Sequence, residues 1–101
     1  MLLYNVTVKV QEEIAEDWQR WQLTEHGPEM VATGCFTRFS LLRLLEVDDE
    51  EGPTFAVQYF ADSLAQYERF LEEFMDSLSQ KAYAKWGQRF IAFRTIMEVV
   101  H

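Results

Sequence analysis

Residues 4–10 alternate between apolar and polar side chains, which is the period of a half-buried β-strand. The apolar side chains occupy the even positions Tyr4, Val6, Val8 and Val10. Polar side chains occupy the odd positions from Asn5 to Lys9. We therefore predict a first strand whose even residues face the core.

Two later segments carry apolar residues at helical spacing. The first helix is expected to begin near Glu12 and to end at Gly27, since glycine is common just beyond a helix end. Its buried stripe would be Ile14, Trp18, Trp21 and Glu25. The second helix is expected to begin at the capping box Ser63-x-x-Gln66, with a break near Asp76.

Three further segments are predicted to be strands: residues 35–47, 54–60 and 89–100. An acidic loop, residues 48–53, separates the first two of them and predicts a hairpin. The order is therefore βαββαβ. We predict one α+β domain over residues 1–101, a ferredoxin-like sandwich with a four-stranded antiparallel sheet and two main helices on one of its faces.

Two helices cover only one face of such a sheet. We expect the odd residues of the last strand, from Ile91 to Val99, to face these helices. The opposite face would then carry Leu3, Leu42, Leu44, Phe60, Phe90, Ala92 and Ile96. An exposed apolar patch of this size is unusual for a monomer. The sequence therefore predicts a homodimer that forms through the sheet face.

Composition narrows the range of partners and compartments. The net charge is −8, from 17 acidic and 9 basic residues, and it disfavours nucleic acids and anionic membranes as partners. The N-terminus resembles neither a signal peptide nor a membrane span. The single cysteine, Cys35, cannot form an internal disulfide, and this suits a reducing compartment. We therefore expect a cytoplasmic protein.

Most of the chain resembles an uncharacterised bacterial family of similar length, a domain of unknown function. The resemblance lies in the segments MLLYNVTVKV, MVATGCFTRFSLLRLLEVDDEEGPTFAVQYF and RFIAFRTIMEVV. Its most specific parts are ATGCF and GPTFAVQYF. The resemblance implies no activity, because none is known for the family.

The element order also resembles, more distantly, the dimeric α/β-barrel superfamily, which includes antibiotic-biosynthesis monooxygenases and EthD-like proteins. Trp21 followed by His26-Gly27-Pro28 is similar to the aromatic and His-x-Pro of EthD-like proteins. This resemblance implies that two sheets pair as a barrel and that each subunit holds a small molecule between its sheet and helices. The superfamily hosts several reactions, so the fold does not select one.

His26 is the candidate catalytic residue, because it is the only internal histidine and its ordinary pKa lies near neutrality. It would act as a general base on a small hydrophobic metabolite. The alternative is a histidine that caps the end of the first helix. No second His or Cys lies at ligand spacing, so we predict no metal site, and no motif calls for a cofactor.

Five other residues are candidates for binding a ligand: Tyr4, Trp18, Trp21, Tyr59 and Arg94. The aromatic rings would wall an apolar pocket, although aromatic residues at helical spacing also form ordinary cores. Either Arg94 or Arg43 would bind a substrate carboxylate, and the alternative for both is an ion pair across strands or across the dimer.

The sequence leaves three functional hypotheses open. The first is a dimeric binding or interaction domain with an apolar pocket for a small molecule. The second is a cofactor-independent enzyme, an isomerase or monooxygenase-like protein, in which His26 is the base. The third is an assembly module whose pocket is filled by Trp18, Trp21 and Phe93.

Overall fold

The computed structural model describes residues 1–101. Its elements in chain order are β1 (Leu2–Val10), α1 (Ala15–Trp21), α2 (Gly27–Ala32), β2 (Arg38–Arg43), β3 (Thr54–Ala61), α3 (Leu64–Glu73), α4 (Met75–Trp86) and β4 (Phe90–Glu98). A 3-10 turn, Glu12–Ile14, precedes α1, and a π-helical turn, Gln22–His26, joins α1 to α2. The predicted βαββαβ order is confirmed, with each predicted helix present as two consecutive helical segments.

The four strands form one antiparallel sheet in the order β2-β3-β1-β4. This is the strand order of a ferredoxin-like fold, in which β1 and β3 are central. Val8 of β1 lies opposite Phe55 of β3 and Ala92 of β4. Directly opposed residues in an antiparallel sheet point to the same face. The even residues of β1 therefore face the helices, as predicted.

The first helical region does not end at Gly27, contrary to the sequence-based expectation. Gly27 has helical dihedral angles, with φ −59° and ψ −52°, and α2 continues to Ala32. A Cβ at this position would overlap the ring of Phe39. The glycine therefore allows a close approach between α2 and β2 and does not terminate the helix.

The second helical region begins as predicted, because the Ser63 hydroxyl accepts a hydrogen bond from the Gln66 backbone N–H at 3.3 Å. Its break lies at Phe74, where φ is −126°, two residues before the predicted position. No side chain caps the start of α4.

The orientation predicted for β4 was wrong. Arg94 lies opposite Val6, and Ala92 lies opposite Val8, so the even residues of β4 face the helices. Ile91 and Phe93 instead point to the uncovered face, where they are 60% and 68% exposed. Phe90, Ala92 and Ile96 therefore do not belong to that face, whereas Leu3, Leu42 and Phe60 do.

The second strand is also shorter than predicted. It covers Arg38–Arg43, and Leu44 and Leu45 lie beyond its end, next to Glu46 at a positive φ of 58°. Cys35 and Phe36, which were predicted to begin this strand, lie before the sheet and are buried in the core.

The core lies between the sheet and the helices and is centred on Tyr4. Its ring lies within 6.1 Å, centroid to centroid, of four other aromatic rings, those of Phe36, Tyr59, Tyr67 and Phe70. The helices leave β4 largely uncovered, since eight of its nine residues are exposed. None of the helices combines the length and the hydropathy that crossing a bilayer requires.

Candidate functional site

A cavity lies between the sheet and the helices, on the side of the core nearest β4. Its volume is about 90 Å³. That is well above the roughly 15 Å³ that one water molecule needs. Hydrophobic side chains make up 15 of the 19 residues that line it.

All six residues singled out from the sequence line this cavity: Tyr4, Trp18, Trp21, His26, Tyr59 and Arg94. They come from β1, α1, the π-helical turn, β3 and β4. Five of the six are aromatic, counting the imidazole, so the wall presents mainly ring faces and edges. The structure therefore brings the six candidate residues together around one mainly apolar cavity.

Gln22 and Tyr59 form a polar contact on the buried side of the cavity. Gln22 Nε2 donates a hydrogen bond of 2.9 Å to the Tyr59 hydroxyl, and Gln22 is only 2% exposed. Burial raises the pKa of Tyr59, and the hydrogen bond from Gln22 opposes this shift. Tyr59 is therefore a neutral phenol at physiological pH.

Tyr4 presents a second neutral phenol to the cavity. Burial raises its pKa to about 12, and the nearby positive charge of Arg94 opposes the shift. The hydroxyl can donate or accept a hydrogen bond but carries no charge near neutral pH.

His26 lies at the end of the π-helical turn and stacks on Trp21, with ring centroids 4.6 Å apart. Its Nδ1 atom is buried and has no hydrogen-bond partner. Burial lowers its pKa to about 4, and Glu29 partly opposes this effect. Lys81 lowers the pKa further and forms a 2.6 Å ion pair with Glu29. The imidazole is therefore neutral near pH 7.

The exposed lining residues mark the mouth of the cavity. Ala92, Arg94 and Tyr83 are exposed, whereas Trp18 and Tyr59 are buried. The cavity thus opens beside β4, where the helices leave the sheet uncovered. Arg94 Nη1 lies 3.5 Å from Met75 Sδ at this mouth.

Several lining residues were not anticipated from the sequence. They include Gln22, Met30, Met75, Ser79 and Ala82. Gln22 was left out of the predicted apolar stripe because it is polar, although it follows Trp18 by one helical turn and so shares its face. Glu25, which the stripe included, is exposed. Met75, Ser79 and Ala82 lie on α4, and the sequence did not indicate that they line a cavity. Residues of these types are equally common at half-buried positions away from any cavity.

Two other features of the sequence lie away from the cavity. Arg43 forms a 2.8 Å ion pair with Asp49 of the acidic loop and does not line the cavity. Arg38 stacks over the Phe60 ring on the uncovered face, with its guanidinium carbon 3.7 Å from the centroid. No group of three or more His, Cys, Asp or Glu side chains is arranged to hold a metal ion.

The fold is shared with solved structures of low sequence identity. One is a dimeric ferredoxin-like protein from an uncultured marine organism, with 12% identity, a TM-score of 0.69, and coverage of 99% of this chain and 95% of that one. Another is an EthD-like protein from Ralstonia eutropha JMP134, with 15% identity, a TM-score of 0.69, and coverage of 98% and 93%.

A third similar structure is assigned as an antibiotic biosynthesis monooxygenase from Nitrosomonas europaea. It has 12% identity and a TM-score of 0.66 and covers both chains fully. At these identities the similarity establishes the α+β ferredoxin-like fold, and no curated protein matches this chain. A family model does match residues 1–100, so the chain belongs to the family described as a domain of unknown function, DUF4286.

Proposed function

We propose that this chain is a homodimeric binding domain that holds a small, mainly apolar molecule in the cavity between its sheet and its helices. The observation that carries the proposal is the aromatic-lined cavity beside β4. Ligand sites in proteins are typically concave and apolar, with a few polar groups that orient the ligand.

The cavity opens to solvent beside β4, so its apolar wall is in contact with water when no ligand is bound. Removing apolar surface from water is favourable. The wall contains bulky side chains, including Trp18 and Trp21, and about 90 Å³ still remains open. A bound apolar molecule would cover this wall, which supports a binding role over a core that fills itself.

The assembly-module hypothesis is disfavoured by the position of Phe93. It required Phe93 to fill the pocket together with Trp18 and Trp21. Phe93 lies opposite Thr7, on the other face of the sheet, and is 68% exposed.

One polar group of the wall is suited to orienting a ligand, and it belongs to Tyr59. The His26 Nδ1 atom is not suited to this role, because it is buried away from the open space of the cavity and has no partner. The Tyr59 hydroxyl is already held by Gln22, so its own proton is free to be donated.

The uncovered face of the sheet supports the homodimer. Ile91, Phe93, Met97 and Leu42 are large apolar residues on this face, and each is at least 39% exposed. Polar side chains lie among them: Asn5, Thr7, Lys9, Gln58 and Thr95. An apolar surface with scattered polar groups is typical of a protein–protein interface. A second copy of the chain, sheet against sheet, would cover it.

An enzymatic role for His26 is the second candidate, and its position in the cavity wall favours it. A general base works best when its pKa lies near the working pH. With a pKa of about 4, the imidazole of His26 is available in its neutral form but is a weak base. Binding is therefore the better-supported function. Under the enzymatic alternative, His26→Ala would abolish turnover while the dimer remains intact.

Methyl NMR tests the proposed cavity with an apolar probe. Met30 and Met75 line the cavity, whereas Met97 lies on the opposite face of the sheet. Addition of benzene should shift the methyl signals of Met30 and Met75 in a saturable way and leave Met97 unchanged. If the methyl signals of Met30 and Met75 do not shift as benzene is added up to its solubility limit, the cavity is not a binding site.

A further inference from the structure

Charge is distributed unevenly between the cavity and the rest of the protein. The chain contains 17 acidic residues, yet none of them lines the cavity. Arg94 is the only Lys or Arg among the lining residues. His26 adds no charge, because burial lowers its pKa to about 4. The cavity therefore carries a single positive charge in a protein whose net charge is −8.

Arg94 is also free of a carboxylate partner. The five ion pairs of the structure involve Arg20, Arg43, Arg69 and Lys81, and none involves Arg94. Its guanidinium contacts the sulfur of Met75 at 3.5 Å. A thioether is a weak acceptor, and a guanidinium has five N–H donors in a planar fork. Most of the hydrogen-bonding capacity of Arg94 thus remains available to a ligand.

The position of Arg94 separates the cavity into two chemically different ends. Arg94 lies at the exposed mouth, beside Ala92 and Tyr83. The buried end is formed by rings, among them Trp18 and Tyr59. A ligand that satisfies both ends has an anionic group at the mouth and an apolar body that extends inward.

We infer that the ligand is a small monocarboxylate with an aromatic or aliphatic body, and that Arg94 binds its carboxylate group. This inference rests on the proposed function and specifies the class of ligand that the cavity takes. Guanidinium and carboxylate groups match in a planar, two-bond geometry.

A phosphate monoester fits the cavity less well than a carboxylate does. Such a group carries nearly two negative charges at neutral pH. Arg94 would neutralise only one of them, and no other Lys or Arg lines the cavity. The second charge would remain uncompensated in a protein that is already strongly acidic. One guanidinium without a cationic neighbour therefore matches a single negative charge.

A matched pair of probes tests this inference. Phenylacetate and phenylacetamide have nearly the same shape, but only the first is an anion. Both would be titrated by NMR into the wild-type protein and into Arg94→Gln. The control is Arg20→Gln, which removes the same charge from an exposed position on α1 that does not line the cavity.

We expect the wild-type protein to bind phenylacetate about two- to fivefold more tightly than phenylacetamide, the range typical of an ion pair that is exposed to solvent. Arg94→Gln should remove this preference by weakening phenylacetate alone, and Arg20→Gln should preserve it. Equal affinity of the wild-type protein for the two probes, with both bound in the cavity, would overturn the inference and leave the proposed function intact. If neither probe binds, and benzene does not either, the proposed function fails together with the inference.

Discussion

His26 stacks on Trp21, five residues earlier in the chain, with ring planes only 13° from parallel. An α-helix places residues three and four apart on the same face, so it does not bring such a pair together. The π-helical turn Gln22–His26, with its i to i+5 hydrogen bonding, aligns the two rings. Single π-helical turns inside α-helices are frequent at functional sites. Here the turn places His26 beside Trp21 in the cavity wall.

The buried imidazole makes stability depend on pH. Its pKa is about 4 in the folded protein, against an ordinary value of 6.5, so the unfolded chain binds more protons between these values. Stability should therefore be complete above pH 6.5 and decline as the pH falls toward 4. This protonation of His26 should lower the free energy of unfolding by about 3 kcal/mol at most.

Urea unfolding between pH 7.5 and pH 4 measures this contribution. His26→Gln is the matched control, because glutamine does not titrate. The wild-type protein should lose more stability than the variant over this range. Parallel curves for the two proteins would show that His26 is not held neutral by burial.

Tyr59→Phe should destabilise the protein by about 1 to 3 kcal/mol, because it leaves the buried amide of Gln22 without its acceptor. Tyr83→Phe is the control, since Tyr83 lines the same cavity but is 56% exposed, and it should change stability by less than about 0.5 kcal/mol. Thermal or urea unfolding measures both. Equal effects of the two substitutions would mean that the Gln22–Tyr59 contact contributes nothing.

Gly27→Ala should also be destabilising, by about 1 to 3 kcal/mol, because its new methyl group overlaps the Phe39 ring. Alanine is the better helix former, so helix propensity alone predicts the opposite sign. Phe39→Leu should recover part of the loss when the two changes are combined. Strict additivity in this double-mutant cycle would contradict the proposed contact.

Phe93→Glu should convert the proposed dimer to a monomer, because it places a charge at the most exposed large apolar side chain of the uncovered sheet face. Leu64→Glu is the control, since Leu64 is similarly exposed, at 57%, but lies at the start of α3. Light scattering coupled to gel filtration at micromolar concentration gives both masses. A Phe93→Glu protein that stays dimeric would exclude this face as the interface.

The sequence predicts the order of elements along the chain and the first strand well because their patterns are unambiguous. β1 alternates apolar and polar residues, and only one face of it can be buried. The pattern of β4 lacks this information, since Phe90 and Ile96 on one face are as apolar as Ile91 and Phe93 on the other. Its orientation is set by its register with β1, which no single-strand pattern contains.

Some of the residues that line the cavity could be anticipated from the sequence, but their geometry could not. Aromatic residues of the first strand and first helix had to lie near the core, so Tyr4 and Trp18 could be anticipated. The π-helical turn could not, because Gln22 to His26 carry no sequence signal for it. The structure also shows that the glycine of His26-Gly27-Pro28 is needed for contact with Phe39, a residue of a different element.

Native mass spectrometry of untagged protein, purified gently from its host, tests the central claim most directly. We predict a dimer that carries a reproducible small additional mass, which corresponds to at most one bound molecule per subunit. Ala82→Phe, which places a ring in the cavity wall, should abolish the additional mass, whereas Ala84→Phe, exposed on the same helix, should retain it. A dimer without any bound molecule would contradict the binding role, and a bare monomer would contradict the dimer as well.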